Sequence, residues 1–71
     1  MAEKTEFAVF CIENLAKKLG CSGYEAYCLL AEKSTILGDY IIPNYEALHT
    51  QGKDYIINDI IELMEEKGLV A

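Results

Sequence analysis

Apolar and polar positions along the chain segregate at helical spacing. Over residues 5–19, placing residues about 100° apart puts Phe7, Ala8, Val9, Cys11, Ile12, Leu15, Ala16 and Leu19 on one continuous side. Glu6, Glu13, Asn14, Lys17 and Lys18 occupy the other side, and Phe10 falls among those charges. The pattern predicts a first helix that stops at Gly20, where a residue without a Cβ can adopt positive φ. Ser22-Gly23-Tyr24-Glu25 then reads as a capping box: the Ser22 side chain accepts from the Glu25 amide and Glu25 reaches back. The helix it opens, over residues 22–33, carries Leu30, Tyr27, Ala31, Tyr24 and Cys28 on a broad apolar face. Glu25, Glu32 and Lys33 mark a narrower wet edge, and Leu29 lies between Glu25 and Lys33. So wide an apolar face predicts the most central helix.

Residues 34–38 read as a connection. Residues 39–49 have a helical pattern with Ile41, Ile42, Tyr45 and Leu48 on one side, interrupted by Pro43, which has no amide hydrogen to donate. The segment is therefore either one kinked helix or two short pieces, the second opened by Pro43 at its first position. After a turn at residues 50–52, the last helix is the cleanest. Over residues 53–67, Ile56, Ile57, Ile60, Ile61, Leu63 and Met64 share one side, and Gly68 follows as a stop. Asp54, Tyr55, Asn58, Asp59, Glu62, Glu65 and Glu66 lie opposite. The fold class predicted is all-α, a compact antiparallel bundle of three main helices plus one short or kinked helix, forming a single domain over residues 1–71.

Composition narrows the function classes. With 52% apolar residues, one Pro and five Gly in 71 residues, the chain is neither collagen-like nor disordered. A chain this short has little stability in reserve, and small domains often add disulfides or a metal. Cys11, Cys21 and Cys28 are odd in number and form no CxxC pair, which points to buried free thiols in a reducing compartment. Together with His49 they match the ligand count of a Cys₃His zinc site, but spacings of 10, 7 and 21 positions lack the paired short intervals of such sites, so no metal is expected. His49 lies four residues after Tyr45, in the last turn before Gln51-Gly52. There it either caps helix carbonyls beside a half-buried Tyr45 or serves as a titratable contact. No phosphate loop, nucleophile elbow or HExxH motif is present, so neither enzyme activity nor a cofactor is expected. The opening MAEKTEF lacks the basic start and apolar run of a signal peptide, and no apolar stretch is long enough to span a membrane, which predicts a cytoplasmic protein.

Charge adds one positive indication. Twelve acids against six basic residues give a net charge of -6, which argues against binding a phosphate backbone and for a basic protein partner. The charge is uneven: residues 1–35 hold four Lys and five acids (net -1), residues 36–71 two Lys and seven acids (net -5). Such a face either simply solvates the last helix or docks a partner. Tyr55 among the acids raises the docking alternative, since an aromatic ring there can grip Lys or Arg, and Tyr55, Asp59, Glu62 and Glu66 are the candidate partner-binding residues. Phe10, set among charges, is either an ordinary exposed aromatic or, with Leu29, which is similarly placed, a candidate for self-association in a homodimeric scaffold.

The ordered string of Phe7-Ala8-Val9-Phe10-Cys11-Ile12-Glu13, Ser22-Gly23-Tyr24-Glu25-Ala26-Tyr27, Tyr45-Glu46-Ala47-Leu48-His49-Thr50-Gln51-Gly52 and Asp59-Ile60 resembles the small bacterial domain-of-unknown-function family 3791. The resemblance covers nearly the whole chain and rests on the order of short apolar and turn motifs, with no catalytic signature. It implies a short helical bacterial protein whose gene neighbours other small reading frames, one of them with an ADP-ribosyltransferase-like look. It thereby implies an antitoxin-like pairing with a toxin-like enzyme. Pro43 departs from the family's pattern, and the resemblance carries over no catalytic residue.

Overall fold

Two glycines and one serine set the boundaries of the long helices. In the computed structural model, which describes residues 2–69, helix α1 spans Ala2–Leu19 and ends at Gly20 with φ 74°. The Cys21 amide bonds back to the Ala16 carbonyl at 3.0 Å, the six-to-one closure of a Schellman turn, and Cys21 packs against the core. Helix α4, Lys53–Glu66, ends the same way: Gly68 has φ 75°, the Leu69 amide reaches the Met64 carbonyl at 2.9 Å, and Leu69 packs inward. Helix α2, Gly23–Tyr27, opens with the expected capping box. Ser22 Oγ accepts the Glu25 amide at 3.1 Å while Glu25 Oε1 accepts the Ser22 amide at 3.0 Å.

The middle of the chain winds differently. Helix α2 runs directly into a π-wound turn, π1 (Cys28–Glu32), and a second, π2 (Leu37–Ile41), follows the corner. Each is closed by an i→i−5 bond, Lys33 amide to Cys28 carbonyl at 2.8 Å and Ile42 amide to Leu37 carbonyl at 3.0 Å. Ser34 holds the corner between them. Its hydroxyl donates to the Leu29 carbonyl at 2.7 Å, with the Leu30 carbonyl at 3.3 Å, and accepts the Ile36 amide at 3.3 Å. Residues 34–38 are thus only partly a connection, because helical winding resumes at Ile36. A five-residue closure places Ile36 and Ile41 over one another, and both are buried.

The segment around Pro43 is two short pieces, π2 and helix α3 (Tyr45–Leu48). Pro43 does not open the second piece at its first position; it lies in the turn before the N-cap, Asn44. The architecture is therefore all-α, with three main helical stretches (α1, α2 continued by π1, and α4) and two short ones. There is no strand among the described residues. Of the predicted span 1–71, residues 1, 70 and 71 lie outside the described residues.

Every element feeds one core: Cys11 and Leu15 from α1, Ala26 from α2, Leu30 from π1, Ile41 from π2, Leu48 from α3, and Ile56, Ile60 and Met64 from α4. Three expectations about this core need correction. Val9, at the edge of the apolar arc of α1, is 46% exposed. Along α2 and π1 the buried stripe is Ala26 and Leu30, whereas Tyr24 and Tyr27 are 71% and 40% exposed. Tyrosine adds apolar bulk to a helical face while its hydroxyl prefers water, so the inward face of α2 is displaced toward small Ala26. Nor is the second helix the most central: α1 buries five residues, Phe7, Ala8, Cys11, Leu15 and Ala16, and α4 buries four, Ile56, Ile57, Ile60 and Met64.

Candidate interaction surfaces

With Ile56, Ile57, Ile60 and Met64 turned inward, the 3.6-residue period directs Asp54, Tyr55, Glu62, Glu65 and Glu66 outward, and all five are exposed. Tyr55, Asn58, Asp59 and Glu62 line a shallow hollow of about 180 Å³, with Glu66 further along the same helix. The structure thus brings three of the four candidate partner-binding residues into one depression. Tyr55 is 58% exposed at that position.

Asp59 has a second task. It is half-buried and accepts a hydrogen bond from the Tyr40 hydroxyl, which ties α4 to π2. Sequence reasoning missed this pair because Tyr40 sits in the π-wound stretch, where 100° steps misplace side chains. The available signal was Asp59 itself, an acid next to Ile60 at the edge of the apolar arc.

Phe10 and Leu29 line different hollows. Phe10, 38% exposed, continues an aromatic row: Phe7 and Phe10 stack with centroids 6.2 Å apart, Phe7 meets Tyr45 edge-on at 5.4 Å, and Tyr45 stacks on His49 at 4.5 Å. This row lines a hollow of about 330 Å³ that also includes Glu3 and Glu6. Leu29 is half-buried against the core and lines another hollow with Cys21, Tyr24 and Cys28. The Cys28 thiol beside Tyr24 pushes that phenol above its ordinary value. His49 is the C-cap of α3. Its Nδ1–H donates to the Tyr45 carbonyl at 2.8 Å, so the carbonyl-capping alternative describes its position.

The thiols divide. Cys11 is fully buried, and burial pushes its thiol up to about 11, which keeps it protonated and unreactive at neutral pH. Cys21 and Cys28 are only half-buried, contrary to the expectation of buried thiols throughout; Cys21 follows the end of α1, and both border the hollow lined by Tyr24 and Leu29. With Cys11 in the core and His49 in the aromatic hollow, the four residues of the hypothetical Cys₃His site are not assembled.

Positive charge is also gathered. Lys17, Lys18 and Lys53, half of the six lysines, line a hollow of about 220 Å³ together with Asn14, Asn58 and one acid, Asp54. Asn58 borders both this hollow and the acidic one, so the two signs meet along the N-terminal half of α4. Among the described residues, no helix is long and apolar enough to cross a membrane.

The family model described as "Protein of unknown function (DUF3791)" matches residues 6–67. The chain belongs to the DUF3791 family. No curated protein and no solved structure matches it. The DUF3791 match contains the acidic face of α4, the aromatic row and Leu29, and leaves Glu3 outside.

Proposed function

We propose that this DUF3791 protein is a non-enzymatic interaction module whose α4 docks a basic protein partner. The observation that supports it most is the outward face of α4, where exposed Tyr55 sits among acids in the half of the chain that carries net -5. Tyr55 supplies short-range contact, Glu62 and Glu66 supply attraction, and Asp59 is held in place by Tyr40. The lysine hollow across Asn58 limits how a basic partner can lie, because a displaced partner would meet Lys17, Lys18 and Lys53. A toxin-like enzyme encoded nearby, the partner the family resemblance implies, fits this reading if it presents a basic strip.

The homodimeric alternative is less well supported. Phe10 and Leu29 do not share a hollow, and a two-fold contact through Phe10 would bring Glu3 and Glu6 toward their own copies. Replacing Tyr55 by a photo-reactive phenylalanine analogue in the producing cell tests the proposal. The expected result is an adduct with one basic protein, absent when the same group replaces exposed Tyr24. Equal capture from both positions, or an adduct only with a second copy of the chain, would contradict it.

A further inference from the structure

The aromatic row of α1 and α3 has the makings of a binding site separate from the acidic face of α4. Four rings run in sequence, Phe10, Phe7, Tyr45 and His49, and the two at its ends are exposed. The His49 ring is fixed from two sides. It lies 11° from parallel to Tyr45 at 4.5 Å, and its Nδ1–H is held by the Tyr45 carbonyl at 2.8 Å. A flat ring pinned this way is a ready platform, because little side-chain entropy remains to be lost when something stacks on it. Glu3 and Glu6, both exposed, line the same hollow and make its lining negative.

Flat π-faces beside carboxylates are complementary to a planar cation. Guanidinium stacks on aromatic faces and presents five N–H donors that pair with carboxylates, whereas ammonium is a compact, strongly hydrated charge that does neither as well. We propose that this hollow accepts an arginine side chain of a partner protein. The occupant is not a second copy of this chain, because the sequence contains no arginine: all six basic residues are lysines. The hollow, of about 330 Å³, has room for a guanidinium and its methylene stem.

A nuclear magnetic resonance titration of the isotope-labelled protein tests this. The probes are three capped peptides, identical except for arginine, lysine or citrulline at the central position. Citrulline keeps the plane without the charge, and lysine keeps the charge without the plane. Shifts concentrated at Phe10, Tyr45 and His49 with the arginine peptide, and affinity lower by about fivefold or more with each of the other two, are expected. In the protein, the double variant Glu3→Gln and Glu6→Gln should weaken the arginine peptide by about tenfold, the product of two exposed charge pairs. Phe10→Ala should weaken it with the folded spectrum retained, since Phe10 is outside the buried core. Equal binding of the arginine and citrulline peptides, no binding, or insensitivity to the glutamate changes would overturn the proposal. Shifts centred on Tyr55 and Glu62 would also overturn it while leaving the α4 reading intact.

Discussion

Ile60 has no exposed surface and sits in the core cluster to which every element contributes. Ile60→Ala should therefore cost about 2 to 4 kcal/mol, from lost transfer energy and the cavity left behind. Urea unfolding followed by circular dichroism measures it, and in so small a domain the loss is large enough to broaden or abolish the cooperative transition. The thiols give a second residue-level expectation: a native-state alkylating reagent should modify Cys21 and Cys28 and reach Cys11 only on unfolding, read by intact mass. Cys11 also sets a pH dependence. Its folded-state value of about 11 lies above the ordinary 9.0, so between these pH values the folded state holds a proton that the unfolded state has lost. Stability from this group is complete below about pH 9 and falls as pH rises toward 11. Inward residues such as Leu15, Ile60 and Met64 were legible because apolar periodicity is strict there. Val9, Tyr24 and Tyr27 were not, because hydropathy alone does not say which neighbour ends where or which way a tyrosine hydroxyl turns.

The elements were legible where local chemistry closes them. Gly20, Gly68 and the Ser22–Glu25 box each act within a few residues, and each is found in the expected role. Ser22→Ala should cost about 1 kcal/mol by leaving the Glu25 amide without its acceptor, measured by urea titration. The segment from Cys28 to Pro43 was harder to read, because the i→i−5 closures of π1 and π2 change the period on which face assignments depend. That change explains why Ile36 and Ile41, five residues apart, are both inside, and why the Tyr40–Asp59 bond was not foreseen. Tyr40→Phe keeps the ring and removes the donor to a carboxylate, so it should lower stability by about 1 to 2 kcal/mol. Amide exchange should quicken in π2 before it does in α1, since π2 loses its polar tie to α4.

At the scale of the whole molecule, 71 residues carry net -6, yet the surface divides into an acidic strip, a lysine hollow and an aromatic hollow lined with acids. The acidic strip was visible in the sequence because α4 is regular, and the other two were not, since each joins residues from distant parts of the chain. Lys53 meets Lys17 and Lys18, and Tyr45 meets Phe7, only once the chain has folded. The central claim is that the acidic face of α4 attracts a basic partner. Its most direct test is the association rate with the protein captured at position 55, measured at two salt concentrations for the parent and for the double variant Glu62→Lys and Glu66→Lys. Both residues are exposed, so the variant should keep its helical spectrum. The account predicts an association rate about tenfold lower for the variant at low salt. It also predicts a parent rate that falls as the screening length shortens toward about 8 Å at physiological salt. Equal association rates for parent and variant at low salt would contradict it and leave the acidic face a role in solubility alone.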